Sequence, residues 1–323
     1  MKRIIIWVSL LCALAILTLD SQSQAVAPRS GRNILVDFEL PQKNAPQDVL
    51  ASSALRVRLN GQDIRVTKAE RVTIRPRTVI LLDESGSMGG DPYIWNASID
   101  LATSAFSNLK SSSEIFFLAF SDENRPLEIH PFTEELAHEL QARKIALNTR
   151  NNPTKGHTAA RDAMVYAIRN LNLKLGDAFI FISDGGENSS RTSEKETQST
   201  LYRSGVRIFS LAIGNLGTPE ELAGPSSLRR LSLLTGGMAE QVTYEVKRMS
   251  VYSRVILKPE KIAQLTEYIG WRITHPIVLT LDLPESASGK LQVDAVDGSG
   301  KRLKEIPVTA PERIEAISAH PPQ

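Results

Sequence analysis

The sequence is almost free of cysteine, since Cys12 is the single one among 323 residues. A disulfide framework and a zinc site built from cysteines are therefore excluded, because each of them needs several thiols. A cysteine nucleophile would be excluded as well if the N-terminal segment that carries Cys12 were removed.

An excess of charge of one sign is also missing. The chain has 38 Lys and Arg against 36 Asp and Glu, which gives a net charge of +2. This balance argues against a nucleic-acid binder whose affinity rests on a large cationic field. Internal repeats and low-complexity tracts are not evident. A hydrophobic fraction of 41% and a charged fraction of 23% are typical of globular proteins, and the length predicts about two domains.

A hydrophobic run long enough to span a bilayer is missing at the N-terminus. Residues 4–19 are mostly apolar, whereas a membrane-spanning helix needs ~20 residues. The run follows Lys2 and Arg3 and precedes the small residues Ser23 and Ala25, the pattern of a cleaved signal peptide. We therefore expect residues 1–25 to be a signal peptide and the protein to be periplasmic or secreted. An uncleaved N-terminal anchor is the alternative, and it would be the only attachment to a membrane.

The two flanks of the chain, residues 26–75 and 274–323, carry β-strand patterns. Residues 55–59 alternate between apolar and polar, and Asn60-Gly61 follows them as a strong signal for a β-hairpin. Residues 278–283 and 291–296 show a similar strand-like pattern near the C-terminus. Each flank offers too few strands to bury a face alone. We therefore expect both flanks to form one small β-sandwich-like module.

The middle of the chain, residues 76–273, predicts an α/β domain. Four short runs are apolar throughout, as is typical of strands covered on both faces: 79–82, 115–120, 178–182 and 206–213. Helical stripes separate them, so we expect a mainly parallel six-stranded sheet between layers of helices. Residues 127–132 are expected to form one antiparallel edge strand. Residues 243–257 have no clear pattern and are interpreted as a candidate ligand-facing loop.

Hydroxyl and carboxyl side chains follow the predicted strands at one edge of this sheet. The sequence DESGSMG, residues 83–89, comes directly after the first strand, and Asp184 follows the third. Thr158 lies just before the helix predicted for 160–171. Because ligands of open α/β sheets bind beyond the carboxyl ends of the strands, these side chains are expected to converge. The candidate metal ligands are Asp83, Ser85, Ser87, Thr158 and Asp184.

These five residues resemble the metal-ion-dependent adhesion site of the von Willebrand factor type A family, whose pattern is Asp-x-Ser-x-Ser, a distant Thr and a later Asp-Gly. The resemblance covers residues 76–273. It implies a Rossmann-like three-layer sandwich with strand order 3-2-1-4-5-6, and a protein-binding function in adhesion or assembly without catalysis. The signal peptide and the β-rich flanks are similar to those of exported bacterial proteins related to this family.

The resemblance implies that Ser85, Ser87 and Thr158 bind Mg²⁺ directly, while Asp83 and Asp184 act through water or hydroxyl protons. An acidic residue of a protein partner would complete the coordination. Mg²⁺ prefers six oxygen ligands, and Mn²⁺ or Ca²⁺ are also compatible with such ligands. We expect the carboxylates of the neighbouring Glu84 and Glu187, and the ring of His157, to lie in solvent.

Other interpretations remain. In one alternative, Ser85 and Ser87 only cap the helix that follows them. In another, the protein is a scaffold whose metal site only stabilises the fold. A serine hydrolase would use Ser87 as nucleophile, Asp184 as the acid, and His275 or His320 as the base. Against this, a nucleophile elbow needs glycine two residues before the nucleophile, where Ser85 stands. The sequence does not identify the partner and leaves the oligomeric state open.

Overall fold

The computed structural model describes residues 31–38, 52–122, 127–145, 154–213, 219–242, 245–249, 252–256 and 258–316. The predicted signal peptide, residues 1–25, lies outside these ranges. None of the helices within them is both long and apolar enough to cross a bilayer.

The described ranges contain strands and helices in the following order along the chain. The strands are β1 Arg32–Phe38, β2 Leu55–Leu59, β3 Gln62–Ile64, β4 Val66–Arg71, β5 Arg77–Asp83, β6 Glu114–Phe120, β7 His130–Pro131, β8 Ala178–Ser183, β9 Arg207–Ala212, β10 Met238–Gln241, β11 Glu245–Met249, β12 Tyr252–Ile256, β13 Ile277–Leu281, β14 Gly289–Ala295, β15 Val308–Thr309 and β16 Arg313–Ile314. The α-helices are α1 Gly86–Gly89, α2 Pro92–Leu109, α3 Glu134–Ala142, α4 Ala160–Leu171, α5 Glu194–Ser204, α6 Pro219–Leu234 and α7 Pro259–Thr274.

The middle of the chain forms a six-stranded sheet in the order β10-β9-β8-β5-β6-β7. Its strand pairs are parallel except for β6 with β7, which is antiparallel. Numbered within the domain, this is the predicted order 3-2-1-4-5-6, and the predicted α/β fold class is confirmed. The strand order reverses between β5 and β8, so a crevice is expected at the carboxyl ends of these two strands.

Helices cover both faces of this sheet, because successive residues of a strand point to opposite sides. In β5, Ile80 and Leu82 pack on the face covered by α2, α3 and α7. Val79 and Leu81 pack on the other face, which α4, α5 and α6 cover. The strand is apolar at each of these positions because neither face meets water.

The two flanks form antiparallel sheets that combine both ends of the described chain. One sheet has the order β15-β1-β13-β4 and the other β16-β14-β2-β3. Asn60 and Gly61 join β2 to β3 with φ values of 52° and 84°, the left-handed values that a type I′ turn requires. Apolar residues of both sheets share a core separate from that of the central sheet, for example Val36, Val57 and Leu279.

A buried ion pair joins the flanks to α7. Arg272 Nε donates to Asp37 Oδ2 at 2.8 Å, and the two side chains are 1% and 2% exposed. Arg272 Nη2 also donates to Thr309 Oγ1 at 2.9 Å. Arg207, equally buried, donates from Nη2 to the backbone oxygen of Ile273 at 3.0 Å. Burial lowers the pKa of Arg207 to about 10, so this guanidinium remains charged at neutral pH.

Three parts of the middle domain differ from the prediction. The antiparallel edge strand is two residues long, not 127–132, because both of its residues are exposed at the edge of the sheet and burial does not favour a longer ladder. Residues 243–257 contain the antiparallel pair β11 and β12, not a loop. Helix α6 is not predicted because Gly224 and Pro225 lie inside it, and both disfavour a helix interior.

The first long helix, α2, begins with a side-chain cap that can be tested. The Asp91 carboxylate accepts a hydrogen bond from the backbone N–H of Tyr93 at 2.8 Å. We expect Asp91→Ala to lower the free energy of unfolding by about 1 kcal/mol, because it leaves a helical N–H without its partner. Ser107→Ala, at an exposed position of the same helix, should change it by less than about 0.5 kcal/mol. Urea unfolding curves that shift equally for both variants would contradict the cap.

Candidate metal centre

The loop after β5 places one carboxylate and two hydroxyls close together. Asp83 is fully buried at the end of the strand, and its Oδ1 accepts a hydrogen bond from the backbone N–H of Ser85 at 2.8 Å. The Oγ atoms of Ser85 and Ser87 lie 3.2 Å apart. Ser85 occupies the N-cap position of α1, yet its side chain makes no capping hydrogen bond. The interpretation of Ser85 as merely a helix cap therefore finds no support.

The segment that carries Thr158 forms backbone hydrogen bonds with two neighbouring loops. The backbone N–H of Gly86 donates to the backbone oxygen of Gly156 at 3.1 Å. The backbone N–H of Thr158 donates to Asn188 Oδ1 at 2.9 Å, and the backbone oxygen of Thr158 accepts from Asn188 N at 3.2 Å. Thr158 is buried. Its position is thus fixed from the serine loop on one side and from the loop after β8 on the other.

Asp184 follows β8 and approaches Thr158 across Gly186. The backbone N–H of Gly186 donates to Asp184 Oδ1 at 2.9 Å. A Cβ atom on Gly186 would lie 3.2 Å from Asp184 Oδ1 and 3.3 Å from Thr158 Oγ1. The two side-chain oxygens therefore border the same small space, which glycine leaves open.

The electrostatics of the loops favour a cation. Burial, together with the negative charge of Asp184, raises the pKa of Asp83 to about 7. Hydrogen bonds from Ser183 and Ser85 oppose this rise, and no Lys or Arg of the described chain is among the opposing groups. Two buried carboxylates next to three hydroxyls match the hard oxygen ligands that Mg²⁺ binds. The donor set therefore fits such an ion.

The donor set contains few carboxylates. Within the described residues, no cluster of three or more His, Cys, Asp or Glu side chains is arranged so that it could bind a metal ion. Histidine and thiolate sites of the zinc type are thus not found in this part of the chain. The candidate centre differs from them because three of its five side chains are neutral alcohols.

Ser183 is a functional candidate that the sequence analysis did not single out. Its hydroxyl, fully buried at the end of β8, donates to Asp83 Oδ2 at 2.6 Å and accepts from the backbone N–H of Gly185 at 2.9 Å. It thereby links the carboxylate of one loop to the backbone of the other. Ser183 could have been identified from the sequence, because it is a polar residue at the end of an otherwise apolar strand and directly precedes Asp184.

The expectation that Glu84 and Glu187 lie in solvent is wrong. Glu84 is buried and forms an ion pair with Arg143, whose guanidinium also lies 5.3 Å from the centre of the Trp95 ring. Glu187 accepts hydrogen bonds from the backbone N–H of Arg161 at 3.0 Å and from Ser190 Oγ at 2.9 Å. The interactions of both carboxylates therefore stabilise the loops that carry the candidate ligands.

The three histidines considered as candidates, His157, His275 and His320, differ in their positions. His157 is exposed, as predicted, on the segment before Thr158. His275 caps the end of α7, where its Nδ1 lies 2.9 Å from Thr274 Oγ1 and its ring stacks on Trp271. His320 lies outside the described residues. The described hydrogen bonds and ring contact of the His275 imidazole thus involve its own helix, and not Ser87.

Comparison with known proteins identifies the middle of the chain. The sequence profile of the von Willebrand factor type A domain matches residues 78–251. No curated protein matches the chain. Solved structures with a similar arrangement include a von Willebrand factor type A protein from Catenulispora acidiphila, with 13% identity, a TM-score of 0.44, and coverage of 88% of this chain and 74% of that one.

Two further structures are similar at comparable levels. The manganese-loaded TRAP protein of Plasmodium vivax has 13% identity and a TM-score of 0.39, covering 75% of this chain and 95% of its own. The conserved hypothetical protein BatB of Bacteroides thetaiotaomicron has 16% identity and a TM-score of 0.40, covering 60% and 97%. Because the matched profile spans more than half of the 323 residues, the chain belongs to the von Willebrand factor type A domain family.

Proposed function

We propose that this protein is an exported bacterial interaction module that binds a protein partner through a divalent metal ion, without catalysis. The observation that carries the proposal is the approach of two carboxylates and three hydroxyls at one edge of the sheet. Export rests on the pattern of residues 1–25, and places the protein in the periplasm or outside the cell. Cell fractionation, with the mass of the mature N-terminus, tests this part.

The side chains would divide the work by their chemistry. Ser85, Ser87 and Thr158 would offer neutral oxygens to Mg²⁺, while Asp83 and Asp184 would orient them and hold water molecules. When bound, the ion would supply an electrophilic position that a partner's carboxylate can occupy. Because the direct ligands are uncharged, an acidic partner residue would be attracted and not repelled. Mn²⁺ and Ca²⁺ are alternative ions for these oxygens.

Calorimetric titration of the purified protein with MgCl₂ tests the metal site. We expect saturable binding that Asp83→Ala abolishes, and that Thr158→Val weakens because it replaces the hydroxyl by a methyl group of similar size. Asp91→Ala is the matched control, since Asp91 is a nearby carboxylate engaged in capping α2. The absence of binding by the unchanged protein, or equal binding by Asp83→Ala, would refute the proposal.

A scaffolding protein with a merely stabilising metal site is the second candidate. It is favoured by the hydrogen bonds that already join the loops, between Gly86 and Gly156 and between Ser183 and Asp83. Affinity capture of partners from envelope and secreted fractions separates the two functions. Capture that persists in excess EDTA and with Asp83→Ala would favour the scaffold.

A serine hydrolase is the least supported candidate. The hydroxyl of Ser87 lies beside that of Ser85, and the described hydrogen bonds of the His275 ring are with Thr274 and Trp271. Hydrolysis of a small ester that Ser87→Ala abolishes would nevertheless establish it.

A further inference from the structure

A groove lies beside the candidate metal centre, between α4, α5 and α6. Its volume is about 340 Å³, within the range of ~300–1,000 Å³ typical of ligand pockets. Gly185 and Gly186 line one end of it. The groove thus begins on the same loop that carries Asp184.

The floor of this α4–α6 groove is apolar. Five side chains from the sheet and two helices line it: Met164, Phe181, Leu228, Leu231 and Leu234. They belong to, or pack against, the core on this face of the central sheet, apart from Leu234 at the end of α6. Burial of an additional apolar side chain here would remove further apolar surface from water, which is favourable in proportion to the area.

The charged residues at the rim are paired with one another. Arg161 Nη2 lies 3.6 Å from Glu187 Oε1, and Arg230 Nη2 lies 3.5 Å from Glu194 Oε1. Each cation therefore has an acidic neighbour within the rim itself. Since these charges compensate one another, the groove favours an uncharged, apolar occupant over a second acidic group.

Gly186 lies between the groove and the metal edge, which is the edge of the sheet that carries the candidate metal centre. Gly186 lines the groove, and the space that a Cβ would fill at this residue borders both Asp184 Oδ1 and Thr158 Oγ1. No side chain of Gly186 separates the two places. An extended peptide, which advances about 3.3 Å per residue, can therefore pass from one to the other.

We propose that the α4–α6 groove is a second part of the ligand-binding surface, which receives a large apolar side chain of the partner segment whose acidic residue lies at the metal edge. This inference rests on the proposed function. It specifies the partner as a peptide segment that has a carboxylate and, a few residues away, a leucine, isoleucine, methionine or phenylalanine.

A random dodecapeptide library displayed on phage is the probe, selected on the immobilised protein in MgCl₂. We expect the enriched peptides to combine an acidic residue with a large apolar residue at a constant spacing. Ser227 is an exposed residue of α6 at the groove, so Ser227→Trp should obstruct it. This variant should weaken binding of the enriched peptides by about 10-fold or more, the loss expected for one buried apolar side chain.

Ser226→Trp is the matched control, because Ser226 is exposed on the same helix but does not line the groove. It should bind the peptides like the unchanged protein, and thermal unfolding checks that both variants fold. Acidic, metal-dependent peptides without an apolar preference, bound equally by both tryptophan variants, would refute the groove and leave the proposed function intact. Peptides without acidic residues, or binding that survives EDTA and Asp83→Ala, would refute the proposed function.

Discussion

Asp37→Ala is expected to lower the free energy of unfolding by about 3–5 kcal/mol, because it leaves a buried guanidinium without its carboxylate. Arg272 is 1% exposed and donates to Asp37 at 2.8 Å. Arg207, a second buried cation, is close enough for its pKa to be influenced by both residues. Removal of Asp37 would therefore leave two like charges in a place that water does not reach.

Urea unfolding followed by tryptophan fluorescence measures this loss. Asp63→Ala is the control, since Asp63 is 75% exposed and pairs with Arg58 at 3.6 Å, an arrangement worth about 1 kcal/mol or less. The double variant Asp37→Leu with Arg272→Met removes both charges and should recover much of the loss. Equal destabilisation by Asp37→Ala and Asp63→Ala would mean that the buried pair is not a structural link.

Gly224→Ala is expected to weaken Mg²⁺ binding by about 10-fold or more, through displacement of the loop that carries Asp184. A Cβ on Gly224 would lie 1.9 Å from the backbone oxygen of Asp184 and 3.3 Å from Cα of Gly185. Backbone atoms cannot rotate out of the way as a flexible side chain can, so α6 or the loop must move. Changes in the groups that orient metal ligands typically cost 10–100-fold in affinity.

The same substitution should also lower the free energy of unfolding by about 1–3 kcal/mol, as expected of overpacking. Calorimetry with MgCl₂ gives the affinity, and urea unfolding gives the stability. Ser226→Ala, two residues further along α6 and exposed, should change neither. A variant at Gly224 with unchanged affinity would show that α6 can shift without moving Asp184.

The strands of the central sheet could be located from sequence because burial on both faces makes them apolar at every position. The predicted run 79–82 became β5, Arg77–Asp83, and the run 178–182 became β8, Ala178–Ser183. The edge of the sheet was harder to predict. Strand β7 consists of two residues, both exposed, and only Met238 is buried among the four residues of β10. Neither strand therefore carries a hydrophobic pattern of useful length.

The candidate site was predictable in its residue types but not in its supporting contacts. Asp83, Thr158 and Asp184 follow or precede predicted elements, so their edge of the sheet follows from topology. The pairing of Glu84 with Arg143 joins residues 59 positions apart, which no local pattern encodes. The bond from Ser183 to Asp83 spans 100 positions. Such contacts depend on which strands become neighbours.

The two antiparallel sheets of the flanks, each built from both ends of the chain, have a consequence for biosynthesis. Asp37 and Arg272 are separated by 235 positions, and β2 finds its partner β14 only after the whole central domain has been synthesised. Until then, Leu55, Val57 and Leu59, which are buried in the finished module, have no opposite sheet to cover them. Long-range β pairing of this kind is slow and exposes apolar strands to aggregation. The nascent chain is therefore expected to depend on a holding chaperone until its last quarter emerges, and pulse-chase trapping of ribosome-bound chains would reveal that dependence.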